Sequence, residues 1–532
     1  MNLYTCAQVR QIDGLAIAAG IPAYELMQRA AASLLRCVRD QFADVQQLLI
    51  ICGSGNNAGD GYELARQALS AGLSVRLWWL TSPQQLQGAA HQAAAAALAD
   101  GVICQRFAPE HINQWLATLT AQQLGNSIVV DALLGTGAHG VPRPEFEQAI
   151  VWLNQSGLPV LAVDIPSGVN ADTGFVASVA VRASCTLSLI AAKPGLYTGD
   201  APAFVGSCYV DSLGVPATIF SQPPADNPSA QAIDVSVLKS LPPRSRIAHK
   251  GDAGRVLIVA GDNGFGGAAV MSAQAAVRSG AGTVSLITRA AHVAPVLARC
   301  PEIMVHAVEQ WRDEAAERAD SLLQQASSLV LGPGLGQSAW SHALLHNMLS
   351  RAVARQIPLV LDADALNLLA LELSDWSKLA SQACRARWII TPHPGEAARL
   401  LGCSTQDIRQ DRLAAARALQ HKTGAVVILK GAGSIVMSSA ADVAPAICLE
   451  GNQAMASGGM GDILAGICAT LLAQPGVSAF DAARYAVCAH GEAGDLAAAQ
   501  LQATRGVLAT DLLCWLPRLM SLSANNPGAG VP

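Results

Sequence analysis

The residues of this chain best suited to chemistry lie between Met455 and Ala469, MASGGMGDILAGICA. Ser457, Gly458, Gly459 and Gly461 are small or flexible and run into Asp462, and an apolar helical pattern begins directly after. Glycine lets backbone N–H groups approach a ligand without interference from a Cβ, and a helix starting there adds the positive end of its dipole. The combination is an anion site with one carboxylate at its lip. A carboxylate facing a phosphate is useful if it handles a proton, so Asp462 reads as a general base beside a transferring phosphoryl group. A bare GxGD is also compatible with a simple turn that opens a helix, so its surroundings must decide.

Those surroundings are rich in matching groups. Lys430, Gly431, Ala432, Gly433 and Ser434 follow a strand pattern and offer backbone donors plus one hydroxyl to a nucleotide. Gly451 and Asn452 precede the anion site, and His393 and Glu396 lie in a TPHPGE turn. A carboxylate there can order a Mg²⁺ that in turn holds phosphate oxygens. Alone, His393 reads as a satisfied loop histidine; beside the glycine site it reads as lining a substrate pocket.

The first half carries a second set. Residues 48–52 read as a buried strand emptying into GSGNNAGDG (53–61), with a helix expected over 62–71 and a strand over 73–80. Strand, glycine loop and helix in that order form the phosphate-binding corner of a doubly wound sheet. Asn56, Asn57 and Asp60 place polar side chains where a dinucleotide fold keeps glycine. Two further strand ends match: one leads into DALLGTGAHGV, with Asp131 followed by a flexible loop over 135–141, and one into DIPSGVNADTG, with Asp164 and Ser167. Each Asp alone reads as a turn or cap residue. Three such loops beyond the carboxyl ends of parallel strands read as a site. Lys193, in AAKPGL, is either a cation at that edge or a solvated surface lysine.

The elements that must hold these groups follow from size and composition. At 532 residues the chain exceeds one ordinary core, so two or more domains are expected. It is 51% hydrophobic but only 4% aromatic and 14% charged, so Ala, Leu, Val and Ile must build cores of helices packed on parallel strands. A net charge of −5 gives no basic footprint for nucleic acid. The 13 cysteines are scattered and never in CxxC spacing, as suits reduced thiols. Mean hydropathy is +0.32, yet no apolar run approaches the ~18 residues of a membrane span. The N-terminus shows no secretory pattern. A soluble, cytoplasmic protein without nucleic-acid or membrane partners, acting as a homo-oligomer, is expected.

The stretch SQPPADNPSAQA, residues 221–232, reads as a linker between domains at 1–220 and 233–520, and residues 521–532 as a disordered tail. The fold class expected is α/β: a Rossmann-like doubly wound domain, then a second α/β domain in which strands end in SLVLGPGLG, PLVLDADAL, WIITPHPGE and AVVILKGAGS.

Gly459, Met460, Gly461 and Asp462 match the GxGD signature, and the second half resembles the ribokinase-like superfamily. GPGLG, DADAL, TPHPGE, KGAGS and GNQAMASGGMGD, in this order, resemble the ADP-dependent NAD(P)H-hydrate dehydratases. GSGNNAGDG, DALLGTG, DIPSGVNADTG and AAKPGL are similar to the NAD(P)H-hydrate epimerases. Fused in this order, the halves resemble the bacterial bifunctional NAD(P)H-hydrate repair enzymes. One departure is Ala58, where epimerases commonly carry glycine; a methyl group is tolerable there if φ is negative.

The resemblance implies epimerisation of R and S hydrates of NAD(P)H and dehydration of the S form with ADP, giving NAD(P)H, AMP and phosphate. It implies that Asn56, Asn57, Ala58, Gly59 and Asp60, the loop Gly135, Thr136, Gly137, Ala138, His139, Gly140 and Val141, and Asp164 hold the hydrate in the first domain. Asp164 would move the epimerisation proton, and Asn57, Asp131 and Ser167 would hold K⁺. In the second domain Ala268, Gly336, His393 and Asp462 would line the hydrate, with Asp462 as base. Lys430, Gly431, Ala432, Gly433, Ser434 and Gly461 would hold the nucleotide, assisted by Mg²⁺. A kinase for a thiazole- or pyrimidine-type alcohol is the alternative that the second half alone supports; a stable phosphorylated product would mark it.

Overall fold

The computed structural model describes residues 1–522 except 139, 224, 373, 374 and 441. His139 and residues 523–532 of the expected tail therefore lie outside the described residues. The chain forms two compact units, Met1–Gln231 and Ala232–Pro532.

In the first unit a seven-stranded sheet runs in the order Ile103–Arg106, Ser74–Trp79, Gln47–Cys52, Ser127–Ala132, Val160–Val163, Cys185–Leu189, Ser207–Asp211, parallel throughout. Its central strands are apolar on both faces because helices cover both. Leu48 and Ile50 pack with helices Ala23–Gln41, Gly55–Ser70 and Gly88–Ala99, while Leu49 and Ile51 face Ile112, Phe146 and Ile150 on the other side. The chain reverses its winding direction between Gln47–Cys52 and Ser127–Ala132, the point where such sheets open a crevice beyond their carboxyl ends.

One expectation is corrected here. Most of the 53–61 stretch is helix, not loop: the helix runs Gly55–Ser70. Its glycines serve close packing. A Cβ on Gly59 would lie 2.6 Å from Met27 Cε and 2.8 Å from Ala90 Cα, and one on Gly61 would lie 2.7 Å from both Ala132 Cβ and Cys52 Sγ. Ala58 sits inside this helix with its methyl group in the core, so the departure from glycine imposes no strain.

Within 221–232, Ala225 packs in the first unit's core, and Ala230 and Gln231 pair antiparallel with Leu3 and Asn2.

The second unit's sheet runs Ile303–Ala307, Thr283–Thr288, Arg255–Val259, Ser328–Leu331, Leu359–Leu361, Ile389–Ile390 and Val426–Leu429, parallel, then Ile435–Met437 and Ala446–Cys448, antiparallel. The winding again reverses beside its first strand, between Arg255–Val259 and Ser328–Leu331. The helices Gly266–Arg278 and Met460–Leu472 pack closely through small residues; a Cβ on Gly466 would lie 2.2 Å from Ser272 O. The helix bearing Asp462 is thereby fixed against the sheet by backbone-to-backbone approach. All 13 cysteines are free thiols. Among the described residues, no helix is long and apolar enough to cross a membrane.

Candidate active sites

In the second unit, Gly459 adopts φ 94° and turns the chain into the helix Met460–Leu472, with Asp462 in its first turn. A left-handed residue at a helix start suits glycine. Lys430 and Asp362 reach this helix start: a Cβ on Gly461 would lie 3.2 Å from Lys430 Nζ and 3.7 Å from Asp362 Oδ2. Lys430 Nζ donates to Asp362 Oδ1 at 2.8 Å and lies 3.8 Å from Glu396 Oε2. Asp362, 1% exposed, also accepts from Thr391 Oγ1 at 2.6 Å. Burial works against the charge of Lys430, but Asp362 and Glu396 hold its ammonium above its usual range. Among the described residues, Asp462 has no such partner of its own. Burial, then the charge of Asp362, pushes its carboxyl up to about 7, with Lys430 opposing and Asp364 adding to the rise. A carboxylate in that range accepts a proton near neutral pH and gives it up again.

The other expected groups converge on the same edge. Gly336 N donates to Asp364 Oδ2 at 2.8 Å, and Ala268 abuts the same GPGLG loop, its Cβ 2.8 Å from where a Cβ on Gly334 would stand. His393 caps the helix Pro394–Leu401: its Nδ1 accepts from Gly395 N at 3.0 Å, and its own N–H donates to Glu396 Oε2 at 2.8 Å. Burial and the nearby Lys430 and Arg399 charges hold the His393 imidazole below its ordinary range. In the KGAGS loop, Gly431 adopts φ 144° and Gly433 φ 60°, and Ser434 Oγ donates to Gly431 O at 3.1 Å.

Several supports were not singled out from the sequence. Arg412 donates to Leu429 O at 3.2 Å and Lys430 O at 3.3 Å, holding the KGAGS loop from behind. Asp262 accepts from Arg289 Nε at 2.8 Å and Ser338 Oγ at 2.6 Å beneath the GPGLG loop. Asp495 accepts from Gly451 N at 2.9 Å and Asn452 Nδ2 at 2.6 Å. Asp362 itself stands in the DADAL motif, whose paired carboxylates were the available signal.

In the first unit a cavity of about 630 Å³ opens at the crevice, lined by Asn56, Asn57, Asp60, Asp164 and the described part of the 135–141 loop. Ala58 and Gly59 do not line it; they face the helix packing beneath. Asp164 adopts φ 67°, a left-handed backbone for a non-glycine residue, and such strain clusters at working sites. Lys193 is wholly buried, and its Nζ donates to Asp164 Oδ1, to Leu189 O at 2.9 Å and to Ser188 Oγ at 3.2 Å. Of the two readings of this lysine, the solvated one is therefore excluded. Burial, then the charge of Asp164, raises the Asp60 carboxyl well above its ordinary value in the same cavity.

Asp131 and Ser167 lie just behind the cavity wall. Ser167 Oγ donates to Asp131 Oδ1 at 2.7 Å and Ser167 N to Oδ2 at 2.8 Å, and Leu134 N donates to Ser167 Oγ at 2.9 Å. The next residue, Gly135, stands against Asn57: a Cβ there would lie 3.2 Å from Asn57 Cβ. Asn57 Nδ2 is buried without a hydrogen-bond partner among the described residues. Burial pushes the Asp131 carboxyl up to about 6, with its Ser167 and Leu133 bonds opposing.

Comparison with known proteins places each unit in a known family. Residues 256–518 match the NAD(P)H-hydrate dehydratase family, and residues 23–195 match the YjeF-related protein N-terminus family. The chain is 42% identical to the bifunctional NAD(P)H-hydrate repair enzyme of Coxiella burnetii, over 96% of this chain and 97% of that one. It is 41% identical to the Escherichia coli enzyme of the same description, over 94% of this chain and 90% of that one. Among solved structures, a ribokinase-like superfamily protein from Enterococcus faecalis is 29% identical, covering 56% of this chain and 97% of that one at a TM-score of 0.49. With one family matched in each unit and relatives above 40% identity aligned along nearly their full length, the chain belongs to the bifunctional NAD(P)H-hydrate repair enzymes.

Proposed function

We propose that the first unit interconverts the R and S hydrates of NADH and NADPH, and that the second dehydrates the S form with ADP. The observation that carries the second half is the unpaired Asp462 carboxyl, pushed up to about 7 at a glycine-led helix start. Asp462 takes the proton of the ring hydroxyl, and the oxygen attacks the terminal phosphorus of ADP. The bond to the bridging oxygen breaks and AMP leaves. The ring nitrogen's lone pair then expels phosphate, and loss of a ring proton restores the reduced nicotinamide. Lys430, Gly431, Ala432, Gly433, Ser434 and Gly461 hold the nucleotide, while Ala268, Gly336 and His393 line the hydrate. Backbone N–H groups and the helix dipole supply the anion site.

Mg²⁺ suits this edge as an escort of the diphosphate. The Glu396 oxygens accept from His393, and each keeps a further lone pair for the ion or its water. Its contribution would be to neutralise charge on the phosphate oxygens.

In the first unit Asp164 moves the epimerisation proton, with Lys193 holding its carboxylate and Asp60, raised by burial, lining the same cavity. K⁺ suits Asn57, Asp131 and Ser167, whose amide, carboxylate and hydroxyl all offer hard oxygen. The ion would anchor the turn beneath the 135–141 loop. The test is incubation of the full chain with mixed hydrates and ADP while reduced-nicotinamide absorbance is followed. Recovery from both epimers with release of AMP supports the reading; a stable phosphorylated hydrate and no absorbance would overturn it.

A further inference from the structure

His342 and His346 stand four residues apart on the helix Ala339–Ala354, the spacing that places two side chains on one helical face. Glu372, the last residue of the helix Asp364–Glu372, reaches across to both. His342 Nδ1 lies 2.5 Å from Glu372 Oε1, and His346 Nε2 lies 2.6 Å from Glu372 Oε2. The donor atoms of the three residues lie within 4.8 Å of one another. None of the three belongs to either site described above.

We propose that His342, His346 and Glu372 form a binding site for a divalent first-row transition ion, with Zn²⁺ the best match. Two imidazoles and one carboxylate are an established donor set for that class of ion, with a fourth position left to water. Ion-to-ligand bonds of ~2.05 Å in tetrahedral geometry separate neighbouring donors by ~3.3 Å. The observed spacings need to open by under ~1 Å, which half-exposed side chains can supply. The side chains of His342 and His346 are 39% and 55% exposed, so both the ion and its water have access.

The location suggests what the ion does. Ser338, which caps the histidine-bearing helix, donates to Asp262 beneath the GPGLG loop. Asp364, which opens the other helix, accepts from Gly336 N in that loop. An ion bridging the two helices therefore braces the elements that hold the GPGLG loop.

The experiment uses the full chain, stripped with a chelator and titrated with Zn²⁺ against a chromophoric competitor, then with Co²⁺ for its absorption spectrum. Wild type should take up one ion at this site, His346→Ala and Glu372→Gln should each weaken uptake at least ~10-fold, and Zn²⁺ should raise the thermal midpoint of wild type only. The Co²⁺ spectrum should lack a thiolate charge-transfer band, which separates this site from the exposed thiols of Cys403 and Cys514. Unchanged apo melting in the variants confirms that they fold. No uptake by wild type, equal uptake by both variants, or a thiolate band would overturn the proposal.

Discussion

Each unit sets a lysine among carboxylates at the carboxyl edge of a parallel sheet, Lys193 buried and Lys430 partly so, and the two differ in which carboxylate the lysine takes. In the first, Lys193 sits on Asp164, the residue proposed to act, and Asp60 is raised by burial and by the Asp164 charge. In the second, Lys430 sits on Asp362, and Asp462 is left to be pushed up by burial and by that neighbour. The same ingredients thus give a strained, clamped carboxylate in one pocket and a free, titrating one in the other. A proton relay between two faces of a ring suits the first arrangement, and a single deprotonation beside phosphate suits the second.

The largest effect expected from breaking this contrast is in Asp462→Asn. It keeps the side chain's size, removes the proton acceptor, and should cut NADH recovery from the S hydrate by ~10²–10⁴-fold. ADP affinity and R-to-S interconversion, measured on the same preparation, should persist. Next comes Lys193→Met, which strands the Asp164 charge and should cost the first unit about 3–5 kcal/mol in urea unfolding. Adding Asp164→Asn should restore that stability and leave epimerisation abolished; recovered epimerisation in the double variant would mean that the pair is structural only. Asp131→Ala should weaken the K⁺ dependence of epimerisation roughly 10-fold or more and leave dehydration of pure S hydrate unchanged. The smallest effect is Ala58→Gly: in a helix interior it should lower stability by about 0.5–1 kcal/mol with epimerisation intact, whereas no loss would favour a loop at that position.

How far the sequence carried the account can be seen at particular residues. Alternation of strand, polar loop and helix was legible throughout, because both-face burial leaves continuous apolar runs and loops carry the glycines. GxGD was legible because its chemistry is local. The start of the helix at Gly55 was not, because Gly59 and Gly61 look like loop residues until Met27, Ala90 and Cys52 are seen pressed against them. Lys193 was ambiguous for a related reason: a lysine reads as surface unless its partner, 29 residues away, is known. Asp362 meets Lys430 across 68 residues, a pairing that no local spacing encodes. The DADAL motif marked a polar strand end without saying which of its two carboxylates takes the lysine.

The most direct test of the contrast is the pH dependence of kcat/KM for dehydration of pure S hydrate, in wild type and in Asp362→Asn. Asp462 must be ionised to accept the proton, so wild-type activity should rise with pH through about 7. A neighbouring carboxylate raises a carboxyl group and a neighbouring ammonium lowers it. Replacing Asp362 removes the first influence and frees Lys430 to face Asp462, so the account predicts an acid limb displaced to lower pH. A limb that stays in place, or moves to higher pH, would contradict it.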